Sequence, residues 1–206
     1  MAHTRQDLLD AAERLLREKG LASTREIARE AGCADGTLYN HFKDRTGLYL
    51  AVLFEKIPDF SAPLHELPLR VGEGSVAANL AGIGHAAVRF YHKVAPLFGA
   101  LFAEPQMLAA YRAALRGQDR GPHRSAGAVA AYLRAEQRLG RVDAQRDVAA
   151  AAEALFGACF QHSFRYQFMG LPEDAAADER FVCELVQTLV LGLAPRAADS
   201  PDRAPF

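Results

Sequence analysis

Residues 24–43 read TREIAREAGCADGTLYNHFK, and this stretch decides the fold. Thr24 to Ala31 makes a short helix with Ile27 and Ala28 turned inward, and Gly32 breaks it. Asp35 to Phe42 supports a second short helix. Ala28, Gly32 and Leu38 then stand at the spacing of a helix-turn-helix. Ala28 is small where two helices cross closely, and Gly32 suits the left-handed backbone of a tight turn. Leu38 points back into the core and holds the second helix at its angle. A helix held in this way fits a DNA major groove, about 12 Å wide.

Working outward, Leu8, Leu9, Ala12, Leu15 and Leu16 recur at helical spacing upstream, with Thr4 placed to cap the helix and Gly20 to end it. Downstream, Asp44 caps a helix that runs through Leu48, Val52 and Leu53 toward Ile57. Between Pro58 and Ser75 three prolines and two glycines interrupt the pattern, which predicts an irregular connection and a domain boundary. Val76, Leu80, Ile83, Ala87, Phe90 and Val94 mark the buried face of a long helix. Pro96 is expected to open a separate short helix through Phe102, and Pro105 another toward Leu115. Further helices are predicted at about 124–139, 145–169 and 178–193, with Pro195 as a stop and a frayed tail beyond it. β-branched residues are sparse and no segment alternates with period two, so the chain reads as all-α.

Composition bounds the rest. The chain has 206 residues, half of them hydrophobic and 24% charged, which excludes a disordered chain. A net charge of −1 provides no global basic field, so any polyanion site depends on local placement. Cys33, Cys159 and Cys183 are an odd number at wide spacing without a CxxC pair. This argues against a disulfide framework and against zinc. The charged N-terminal stretch does not read as a signal peptide, and no apolar run reaches the ~18–20 residues of a membrane span. A cytoplasmic protein without membrane association, cofactor or metal is expected.

Three stretches, LLDAAERLLREKG, STREIAREAG and GTLYNHFKDRTGLYLAVL, make residues 5–53 resemble the N-terminal domain of the TetR (tetracycline-repressor-like) transcriptional regulators. The specific part is Gly36 to Phe42. The resemblance implies a three-helix helix-turn-helix DNA-binding domain over residues 1–57. It also implies a larger helical ligand-binding and dimerisation domain over 58–206. Thr24 and Arg25 are implied to meet phosphate at the start of a helix. Tyr39 and His41 are implied to grip phosphate, while Gly36, Thr37 and Asn40 lie against the DNA and Lys43 and Arg45 neutralise backbone charge.

Three positions depart from the family pattern. Cys33 and Ala34 replace an aliphatic residue and a capping Ser, the latter typically worth ~1 kcal/mol. Asp35 is expected to take over the cap, or to accept a hydrogen bond from a cytosine amino group. Arg45 replaces a Lys and keeps the charge. Over residues 1–50, eight basic side chains meet eight acidic ones, so affinity rests on a few placed contacts and on two copies. Four phosphates per protomer give a log–log salt slope of roughly −7 for a dimer.

In the remainder, Phe156, Phe160, Phe164 and Phe168 step by four and form a slanting aromatic band. With Phe90, Phe98, Phe102, Tyr111 and His162 they are candidates to line a cavity for a small apolar or aromatic effector. Val182, Leu185, Val186, Leu189 and Leu193 give the last helix one apolar side. Together with Phe156 and Phe160 they are the expected homodimer interface, made from the last two helices of each protomer. His85, Arg89 and His92 share a helical face that is expected to be solvated, and His162 and Tyr166 share another.

The function that follows is a ligand-responsive DNA-binding regulator, a repressor that binds a near-palindromic operator as a dimer and is not an enzyme. One alternative is a dimeric helical small-molecule-binding protein without DNA binding. The other is a helical metal-dependent enzyme, although the Glu-x-x-His pairs of di-iron chemistry are missing.

Overall fold

The computed structural model describes residues 4–57 and 60–194, and among these every regular element is helical. The order is α1 (Arg5–Lys19), α2 (Thr24–Glu30), a 3₁₀ segment (Asp35–Asn40), α3 (Arg45–Glu55), α4 (Ser61–Glu66), a 3₁₀ turn (Leu67–Arg70), α5 (Val76–Phe102), α6 (Pro105–Gly117), α7 (Pro122–Arg138), α8 (Val148–Met169) and α9 (Ala175–Leu193). The roles expected of Pro58, of Pro195 and of the tail fall outside the described residues.

The chain divides into two compact units. One comprises Met1–Asp59, Arg89–Gly121 and His162–Glu173; the other comprises Phe60–Val88, Pro122–Gln161 and Asp174–Phe206. In the first unit the apolar faces of the N-terminal helices meet in one core. Leu8, Leu9, Ala12, Ile27, Leu38, Leu48, Tyr49 and Val52 are fully enclosed there. Leu97 and Leu101 of α5 and Met107 of α6 join the same core. In the second unit Leu64, Leu80, Ile83, Val129, Leu133, Leu155 and Val182 are buried. Glu136 is buried there too. It accepts the Gly72 backbone N–H at 3.0 Å and pairs with Arg141 at 3.2 Å, which ties the 70–74 turn to α7.

Two expectations from the prolines are corrected. The 58–75 connection is not wholly irregular. Pro63 falls in the first turn of α4, where its missing N–H costs no hydrogen bond, and Leu64 and Leu67 are buried. Pro96 does not start a new helix but lies inside the 27-residue α5. An interior proline costs about 3 kcal/mol. Burial of Val94, Leu97 and Leu101 around it offsets that cost.

Candidate nucleic-acid interface

The interface is built from its caps upward. Thr4 and Asp7 form a capping box at the start of α1, and Ser23 and Glu26 form another at α2. The Lys19 ammonium and the Ser23 backbone and side chain hold the Glu26 carboxyl down to about 2, which keeps the second box charged well into the acid range. Gly32 has φ 71°, the left-handed conformation the sequence predicts, and the Cys33 N–H closes the turn on the Ala28 carbonyl at 2.9 Å. Asp44 caps α3 by accepting the Gly47 N–H at 2.7 Å.

The turn between α1 and α2 is locked from α3. The Tyr49 hydroxyl accepts the Ala22 N–H at 2.7 Å and donates to the Ala22 carbonyl at 3.3 Å. Burial raises the Tyr49 pKa, so this hydroxyl stays protonated. Arg45 donates to the Leu21 carbonyl at 2.9 Å, lies over the Tyr49 ring at 5.7 Å and faces Glu104 at 3.8 Å. Its guanidinium is therefore engaged within the protein, while the side chain keeps 36% exposure.

Between these fixed elements, Asp35–Asn40 is a 3₁₀ helix rather than an α-helix. Ala34 provides no side-chain cap. Asp35 does not take over the capping either; it sits inside the segment and pairs with Arg25 at 3.3 Å. Leu38 is enclosed in the core and anchors the segment. Around that anchor, Asp35, Gly36, Tyr39, Asn40, His41 and Lys43 are exposed and Thr37 is half-buried. Tyr39 is 58% exposed, a position no packing demand explains. Thr24, Arg25, Asp35, Gly36 and Tyr39 line one open depression with Ser23. A Cβ built on Gly36 meets nothing within 4 Å, so the fold does not require glycine there.

Charge is distributed unevenly over this region. Arg5 pairs with Glu55, Arg14 with Glu30, Arg17 with Glu13 and Lys19 with Glu26. Among residues 4–57, Arg29 and Lys43 stand outside these ion pairs. Sequence reasoning passed over Arg29, because only the fold shows that its neighbours Glu26 and Glu30 pair instead with Lys19 and Arg14.

The C-terminal candidates fall into several settings. In the first unit Phe98 contacts Phe102 at 6.3 Å, Tyr111 contacts Phe54 at 5.6 Å and Phe90 contacts Tyr91 at 5.4 Å. His162 is buried beside His92 and Tyr166. In the second unit Phe156 packs on Phe60 at 6.0 Å. The α8 band grades outward: Phe156 is 6% exposed, Phe160 36%, Phe164 46% and Phe168 76%. The apolar side of α9 expected to meet a partner is largely the chain's own core. Val182, Val186 and Leu193 are buried, as is Phe156 of α8, while Leu185 and Leu189 are half-buried. The reason is close packing inside the second unit, where a Cβ added to Gly84 would stand 2.8 Å from Val182 Cγ1. His92, expected on a solvated face, is buried as well.

A short exposed segment, held by one buried leucine and two capped helices, defines a helix-turn-helix protein. The profile of the bacterial regulatory proteins of the tetR family matches residues 8–52, and that of the AefR-like transcriptional repressor C-terminal domain matches residues 93–190. This chain belongs to the TetR family. It is similar to the HTH-type transcriptional regulator AcrR of Shigella flexneri, 48% identical over 48 residues, 22% of each chain. It is also similar to the HTH-type transcriptional regulator YvkB of Bacillus subtilis (strain 168), itself uncharacterized, 29% identical over 109 residues. That second match covers 52% of this chain and 55% of YvkB, so the chain spans at most about half the length of these relatives. In fold it is similar to NalD, the secondary repressor of the MexAB-OprM multidrug efflux pump in Pseudomonas aeruginosa. The TM-score is 0.66 at 20% identity, over 92% of this chain and 95% of that one.

Proposed function

We propose that the chain is a ligand-responsive DNA-binding repressor that binds a near-palindromic operator as a homodimer and is released by a small apolar or aromatic effector. The carrying observation is the exposed row Tyr39, Asn40, His41 and Lys43 on a segment whose Leu38 is buried. In this reading residues 1–57 serve DNA binding and 58–206 serve effector binding and dimerisation. Thr24, Arg25, Tyr39, His41 and Lys43 hold phosphate. Gly36 lets the DNA backbone come close, and Thr37 and Asn40 approach base edges. Asp35 holds Arg25 in place, and Arg45 acts from within by fixing the Leu21 turn.

Two such segments must sit about one DNA turn apart, ~34 Å, to read the two half-sites. An effector that fits a conformer with different spacing draws population away from DNA, and ~1.4 kcal/mol of differential binding gives a tenfold loss of affinity. The packing of Leu97, Leu101 and Met107 into the helix-turn-helix core supports a route for that change. The exposed Phe160 of α8 and Leu191 of α9 support a dimer through the last two helices. Among the described residues no helix is long and apolar enough to cross a membrane. The proposed protein is cytoplasmic, uses no cofactor and is not an enzyme.

The test is selection of bound sequences from random DNA, then gel shift of the selected site with wild type and Tyr39→Ala. A near-palindrome and at least tenfold weaker retardation of the variant are expected. Equal retardation removes the proposed surface, and failure to select any sequence favours a small-molecule-binding protein that does not bind DNA.

A further inference from the structure

We propose that His92 and His162 form a binding site for a divalent transition-metal ion of the class held by imidazole nitrogen, such as Zn²⁺, Co²⁺ or Ni²⁺. The two residues come from α5 and α8 and belong to the same compact unit. Each is only 3% exposed. Their rings lie 6.2 Å apart between centroids, and the potential ligand nitrogens lie within 4.8 Å of each other. The Tyr166 ring packs beside both, 5.6 Å from the His92 ring and 5.0 Å from the His162 ring.

Two imidazoles buried in a core are expensive to desolvate and place nitrogen donors side by side inside the fold. Neutral imidazole is the commonest side-chain metal ligand. Two nitrogens bound to one tetrahedral ion at about 2.0–2.1 Å stand roughly 3.4 Å apart. From a separation of at most 4.8 Å, each ring needs to move by no more than roughly 0.7 Å. Imidazole nitrogen selects zinc, cobalt or nickel over magnesium or calcium, which prefer oxygen. Two histidines leave the remaining positions of a four-coordinate ion to water or to further donors. The site is separate from the 35–43 surface, so it stands whether or not the chain binds DNA.

The experiment uses the full chain without an affinity tag, stripped of metal, and the metal alone as the probe. Cobalt(II) is titrated into wild type, His92→Gln, His162→Gln and the double variant, and the visible absorption of four-coordinate cobalt is read. One ion per chain is expected, bound at least tenfold more weakly by each single variant and not at all by the double variant. Histidine side-chain NMR of the wild type with Zn²⁺ covers the case in which a variant fails to fold. Two of the seven imidazoles should shift, and both should be buried. Absence of binding to wild type, an unchanged isotherm for a folded double variant, or shifts confined to exposed histidines would overturn the site.

Discussion

The 35–43 segment and the second compact unit treat their polar and small residues in opposite ways. In the segment, Tyr39, Asn40, His41 and Lys43 are exposed around two buried side chains, Leu38 and Phe42, and Gly36 has open space beside it. In the second unit Glu136 is enclosed and paired, and Gly84 is pressed against Val182. Exposed polar groups without packing partners are free to serve an outside partner, whereas the buried Glu136 carboxylate is taken up by the Gly72 N–H and Arg141. A glycine in open space and a glycine in a close crossing therefore carry different meanings in the same chain.

The sharpest way to break this contrast is at the anchor. Leu38→Ala leaves a cavity in the N-terminal core, and a loss of about 2–5 kcal/mol is expected in urea unfolding. A loss under half a kcal/mol would mean that Leu38 does not hold the segment. Next come the two glycines. Gly84→Ala overpacks the crossing with Val182 and should cost about 1–3 kcal/mol without changing the DNA affinity of folded protein. Gly36→Ala should leave stability within about half a kcal/mol of wild type but weaken DNA binding, because only the approaching backbone needs the space. Equal effects of the two substitutions on unfolding would erase the distinction.

The smallest effect is electrostatic. The folded-state pKa of Glu26 is lowered from 4.5 to about 2, so its contribution is present above pH 4.5 and is lost as the pH falls toward 2. Glu26→Gln should flatten the fall of the thermal midpoint over that range. Parallel curves for variant and wild type would show that the α2 capping box does not depend on this charge.

The helix-turn-helix was legible because its determinants are local. Ala28, Gly32 and Leu38 lie within a few turns of one another, and the caps Thr4 and Asp44 act on their own helices. Pro96 misled because a local helix breaker was outweighed by burial against residues far along the chain. The contacts of Arg45 were hidden because the Leu21 carbonyl and Glu104 are not its sequence neighbours. The apolar side of α9 could be read as a partner surface or as core, since both demand the same residues. The burial of Val182, Val186 and Leu193, with Gly84 placed opposite Val182, separated the two readings.

By itself, then, the sequence determined the all-helical class, the capped N-terminal helices and the identity of the surface row around Leu38, because periodicity, caps and turn glycines act over a few residues. The tertiary structure alone decided that Arg45 bonds the Leu21 carbonyl, that α9 packs its valines against the chain itself, and that His92 and His162 meet in the interior. Those outcomes depend on contacts between segments far apart in the chain, and side-chain periodicity within one helix carries no information about what lies across from it.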